Sequence, residues 1–143
     1  MCKSLAIYLD ILNGKLKLFQ DILTLTLFQY DLIEKEDYKA LDKNLKQRNM
    51  LILEIDPVNK RQKDMELEEY SLDEMKKINL IKQQIVEIRE KIVYHNVILK
   101  DNLTEKKEEC RNELRNISIN RKASRVYNNW DYKRPSSFFD KKN

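Results

Sequence analysis

Glycine is almost missing from this chain: Gly14 is the only one in 143 residues. Parallel sheets, tight hairpins and phosphate-cradling loops need glycine where the backbone turns sharply or a ligand comes close, so Rossmann, P-loop and barrel folds are all but excluded. Cysteine is nearly as scarce. Cys2 sits at the terminus and Cys110 in a charged segment, with no CxxC pair and no disulfide framework, which reads as reduced thiols in a cytosol. The single histidine, His95, has no partner at metal-ligand spacing and lies in a run of isoleucines, where a packed core histidine is the plain reading. Without a nucleophile and base, or two carboxylates set across a cleft, the chain is not read as an enzyme, and no cofactor is expected. A long apolar run is absent too. The stretch after Lys3 resembles a signal-peptide core, but Asp10 interrupts it and no small-residue cleavage site follows, so neither a signal peptide nor membrane insertion is expected.

Charge and leucine-type residues fill the chain instead. Charged residues make up 36%, far above the roughly 25% of ordinary globular domains. This composition fits amphipathic helices that each bury only a stripe, and predicts an all-α, elongated antiparallel helical hairpin or bundle of three to four helices. The charge is uneven: the net is +4, of which residues 118–143 carry +5 and residues 1–117 carry −1. A helical body over 1–117 and a basic aromatic C-terminal tail over 118–143 are therefore expected, the tail mobile.

The first helix is marked by Leu5, Leu9, Leu12, Leu16, Phe19, Leu23, Thr26, Tyr30 and Ile33, in steps of four and three. A flanking row, Ile11, Leu18, Leu25 and Leu32, repeats every seven residues and widens the stripe enough to touch two neighbours. The alternation Leu23-Thr24-Leu25-Thr26-Leu27 alone would read as a strand, but the surrounding periodicity outweighs it. Asp37 is placed to cap a second helix on Tyr38, Leu41, Leu45, Arg48, Ile52 and Ile55, predicted to stop at Asp56-Pro57. A charged connection follows. Ser71-Leu72-Asp73-Glu74 then has the pattern of a capping box and opens a third helix seamed by Ile78, Ile81, Ile85, Ile88, Ile92, His95 and Leu99. Leu103, Cys110, Leu114 and Ile117 extend it with a shifted phase, and Asn102 is the expected break or bend.

Two features point to binding. The crowded apolar segment Met50–Ile55, with Leu51 and Ile55, and the row Val86, Val93 and Val97 beside the third-helix seam suggest a groove for an amphipathic client helix; equally, these residues could bury one another in a bundle or homodimer. The tail carries Tyr127, Trp130, Tyr132, Phe138 and Phe139 among its basic residues. Stacking and phosphate contacts could hold nucleic acid there, but arginines are sparse and Asp131 and Asp140 interrupt the run, so docking on a protein or folding back on the bundle is preferred.

The order of these features resembles a known family. Glu36-Asp37-Tyr38-Lys39-Ala40-Leu41, then Leu45, Arg48, Leu51 and Ile52 towards the end of the second helix, are similar to the small flagellar export chaperones of the FliT type. Asn96 and Leu99, the segment Arg121–Tyr127 and the ending Phe138-Phe139-Asp140-Lys141-Lys142 resemble the third helix and tail of that family. The resemblance implies a cytoplasmic type III export chaperone. Its client would be the C-terminal helical segment of the filament cap protein FliD, kept from premature assembly, and Tyr127 or Tyr132 would dock on the export gate FlhA. The sister FlgN-type chaperones, which serve the hook-filament junction proteins, share the layout. A structural coiled-coil adaptor that consumes its apolar surface by self-association is the reading from another class.

Overall fold

The computed structural model describes residues 2–131, and side-chain surroundings for residues 4–125. Four helices follow one another: α1 (Cys2–Glu34), α2 (Tyr38–Leu53), α3 (Ile55–Glu66) and α4 (Leu72–Asp131). No strand occurs among the described residues, which are all-α. The threonines that give α1 its strand-like alternation are absorbed within the helix. Thr24 and Thr26 donate their hydroxyls to the carbonyls of Gln20 and Ile22, at 3.0 and 2.7 Å, which satisfies them without leaving helical geometry.

The turn after α1 is built from hydrogen bonds that end one helix and start the next. Asp37 N–H donates to Leu32 O and Glu36 N–H to Ile33 O, the paired bonds of a Schellman stop. Glu36 takes the left-handed position, with φ 56°, where glycine is the usual residue. One residue later, the Asp37 carboxylate accepts from Ala40 N–H at 3.1 Å and caps α2, as its sequence position suggests.

Pro57 acts differently from the expected stop. α2 ends at Leu53, and the chain turns helical again from Ile55, with Pro57 inside the first turn of α3. A proline lacks the N–H that would reach the carbonyl four residues earlier, and its ring crowds that carbonyl. The carbonyl in question is that of Leu53, so the interruption falls at Glu54, before the proline. Most of the predicted charged connection is therefore helix α3, and only Leu67–Ser71 is irregular. The capping box closes as expected: Ser71 N–H donates to Glu74 Oε1 at 2.9 Å, and Glu74 N–H to Ser71 Oγ at 3.2 Å.

The chain divides into two compact units, Met1–Asp101 and Asn102–Asn143. In the first, Tyr8, Leu12, Phe19 and Ile22 of α1 share a core with Ile78, Ile85 and Ile92 of α4. A second cluster joins Leu32, Ile33, Leu41 and Leu99. α2 and α3 return against α1: Gln29 pairs with Asn44, Lys15 with Gln62 and Tyr8 with Glu66. α4 then runs in the same direction as α1, since Tyr8 meets Lys82 and Tyr30 meets His95.

In the second unit, α4 continues through Asn102, the expected break, and through the first part of the segment set apart as the tail. Most of its described side chains are exposed, with Asn102, Lys106, Arg121, Ser124 and Arg125 half-buried. Ion pairs along its own surface, Arg111–Glu108 at 3.0 Å and Lys106–Glu109 at 3.9 Å, accompany it.

Candidate functional site

α1 presents two apolar faces. The face centred on Leu12, Phe19 and Thr26 is occupied by the core. The face one residue back, Ile7, Ile11, Gly14, Leu18, Asp21 and Leu25, is rotated from it by about 100°. It remains open, walled on its far side by α2 and α3.

Three adjoining hollows trace this groove. The first, of about 420 Å³, lies between Ile7, Asp10, Ile11 and Gly14 of α1 and Val58 and Arg61 of α3. The second, about 390 Å³, shares Gly14, Val58 and Arg61 and reaches Leu18, Pro57 and Glu54. The third, about 460 Å³, shares Glu54 and is lined by Asp21, Thr24, Leu25, Gln47, Met50 and Leu51. Both walls follow helical spacing, so the groove offers contacts every three or four residues, apolar ones interrupted by Asp21 on one wall and by Gln47, Glu54 and Arg61 on the other, at the repeat with which an amphipathic helix places its own anchors. From Ile7 to Leu25 it spans about 27 Å at 1.5 Å per residue.

The polar groups of the first unit serve the packing. His95 Nδ1 lies 2.8 Å from the Tyr30 hydroxyl, with the two rings edge to face at 5.6 Å. Burial, and then the neighbouring Tyr94, push the Tyr30 hydroxyl above its ordinary pKa. Arg48 donates to Asn96 Oδ1 at 2.9 Å, and burial lowers the pKa of its guanidinium. Both residues belong to the pattern on which the chaperone resemblance rests. Where α3 meets α4, Glu66 Oε1 accepts from Gln62, Lys82 and Tyr8 at 3.1, 3.2 and 3.3 Å. Burial would raise the Glu66 carboxyl, but the hydrogen bonds from Gln62, Lys82 and Tyr8 and the charge of Lys82 hold it below its usual range.

This cluster carries a pH dependence. A carboxyl whose pKa is lower in the folded state adds stability that is fully present above its unfolded value of about 4.3 and is lost as the pH falls through the folded value. Urea unfolding of wild type and Glu66→Gln between pH 3 and 7 is expected to give a gap that narrows as the solution is acidified. A gap independent of pH would remove the carboxylate from the account.

Of the residues the sequence proposes for client binding, the structure brings only Leu51 into the groove, where it is half-buried and also touches the core. Ile55 packs against the core cluster. Val86 is half-buried on α4, Val93 and Val97 are 58% and 59% exposed there, and none of the three lines these hollows. Tyr132 lies outside the described residues, and Tyr127 is described only as a backbone position of α4. Sequence reasoning misses Gly14, Val58 and Arg61. The seven-residue row Ile11, Leu18 and Leu25 is the signal that could lead to them.

Among the described residues, no group of three or more His, Cys, Asp and Glu side chains comes together to hold a metal ion. Among the same residues, no helix is long and apolar enough to cross a membrane. No protein-family model, curated protein or solved structure matches the chain.

Proposed function

We propose that this chain is a cytoplasmic flagellar type III export chaperone of the FliT type that holds the C-terminal helical segment of FliD in the groove along α1. The open groove carries the reading: it runs between α1 and α2–α3, and the residues of its walls repeat at the spacing an incoming helix needs. The flagellar assignment itself rests on the resemblance of the sequence. The mechanism is steric. An aggregation-prone amphipathic segment buries its apolar stripe against Ile11, Leu18, Leu25 and Leu51, is kept from assembling early, and is released when the export gate FlhA engages the tyrosines of the C-terminal segment. Affinity is moderate, because a client that orders on binding loses conformational entropy.

One observation favours a second reading. In the second unit, Leu103, Leu114 and Ile117 are exposed on α4 at intervals of eleven and three residues, a stripe that suits self-association in a coiled-coil adaptor. The test immobilises the full chain and offers the C-terminal segments of FliD and of the hook-filament junction proteins at moderate salt. Selective capture of FliD supports the FliT-type reading, and capture of the junction proteins moves it to the FlgN type. Capture of neither, with a tight dimer in sedimentation, transfers the function to the adaptor.

A further inference from the structure

The chain's only glycine has no explanation within the chain. Gly14 lies in the interior of α1, where glycine costs about 1 kcal/mol relative to alanine. Its φ is not positive, and a Cβ built on it would meet nothing within 4 Å. Neither backbone geometry nor internal packing therefore calls for glycine. The position is nevertheless the one residue of α1 that lines both of the hollows walled by Val58 and Arg61, so the missing side chain leaves a notch in the floor of the groove.

The rim of the groove is unevenly charged. Asp10, Asp21 and Glu54 line it, against Arg61 as the single cation. Lys17 pairs with Asp21 at 2.8 Å, whereas Asp10 and Glu54 make no ion pair among the described residues. Electrostatic complementarity selects partners by such patterns.

From this notch and rim we infer that Gly14 is the anchor point for an amphipathic helix of a partner protein that carries lysine or arginine beside its apolar stripe and seats one bulky apolar side chain over the notch. The inference rests on the reading of the groove as a helix holder and adds the chemistry of the occupant. A large side chain set against Val58 displaces water from both hollows at once. Basic flanking residues meet Asp10 and Glu54 at the rim.

The test uses the full chain and two synthetic helical peptides of about six turns, with the same leucine stripe and one central tryptophan, flanked by lysine in one and by glutamate in the other. Fluorescence anisotropy is expected to give at least about tenfold tighter binding of the lysine peptide, and Glu54→Lys is expected to narrow that preference. Gly14→Phe, which fills the notch, is expected to weaken binding about tenfold or more. Gly14→Ala is expected to leave the unfolding midpoint unchanged or raised, which separates the groove from the fold. Equal affinity for the two peptides, or unchanged binding by Gly14→Phe with its helicity intact, overturns the inference. If the chain captures an export-substrate segment but Gly14→Phe has no effect on that capture, only the anchor falls; if it binds neither segment nor peptide, the helix-holding reading falls with it. Lysine-peptide binding that is lost as the chain dimerises in sedimentation would give the groove to a second copy and overturn the proposal as well.

Discussion

Leu12→Ala is expected to lower the unfolding free energy by about 3–4 kcal/mol, the range for a leucine removed from a site that cannot collapse. Leu12 is completely buried in the cluster that joins α1 to Ile78, Ile85 and Ile92 of α4, so its removal opens a void inside the core. Against a total stability of about 5–15 kcal/mol for a domain of this kind, that is a large fraction. Leu18→Ala is the matched control. Leu18 is only half-buried and faces the groove, so solvent fills the space it leaves and the cost stays near about 1 kcal/mol. Urea unfolding followed by helical circular dichroism checks both. Equal costs at the two positions would mean that α4 lies on the other face of α1.

The α4 seam is legible in the amino-acid sequence from Ile78 to Leu99, whereas its expected extension, Leu103, Cys110, Leu114 and Ile117, is exposed. Isoleucine recurs at positions 78, 81, 85, 88 and 92 among charged neighbours, and every residue of the predicted seam is buried or half-buried. α1 is harder to read, because it packs against two partners at once. Leu12, Phe19, Thr26 and Ile33 are buried and stand out in the periodicity. Tyr8, Ile22 and Gln29, buried on the flank, do not. α3 escapes for a different reason. Only Val58 is buried along its length, while proline and charged residues dominate its composition, so the sparse apolar steps Ile55, Val58 and Met65 give a weak period.

The site divides along the same line. Ile11, Leu18 and Leu25 are visible as a row able to touch a second neighbour, but the groove for a client helix is expected from Met50–Ile55 and the valine row instead. Which face of α1 stays open is not visible. That choice depends on the side to which the short connection Leu67–Ser71 delivers α4, a matter of three-dimensional packing that no local period encodes. Periodicity alone consequently points to a groove beside Val86, Val93 and Val97, whereas the hollows lie between α1 and α2–α3.

Two buried amides hold the upper wall of that groove in register, and they carry the second large prediction. Gln29 Nε2 donates to Asn44 Oδ1 at 3.0 Å, and Asn44 Nδ2 donates to the carbonyl of Leu25, also at 3.0 Å; both side chains are buried. Asn44→Leu strands the Gln29 amide inside the core and is expected to cost about 2–3 kcal/mol, since an orphaned buried donor loses its solvation without return. Replacing both, Gln29→Leu with Asn44→Leu, removes donor and acceptor together and is expected to recover most of that loss. The coupling energy from the double-mutant cycle should then fall at about 1–3 kcal/mol. Strict additivity of the two single changes would mean that the amides do not act as a pair. Stability alone does not exhaust their role. Leucine pairs tolerate several registers, whereas an amide pair accepts few, and buried polar contacts fix register in helical assemblies at some cost in stability. Because Leu25 and Gln47 line the upper hollow beside this pair, the double variant is expected to unfold near the wild-type midpoint yet bind a helical peptide more weakly. Wild-type affinity in that variant would mean that the groove wall is held by its apolar contacts alone.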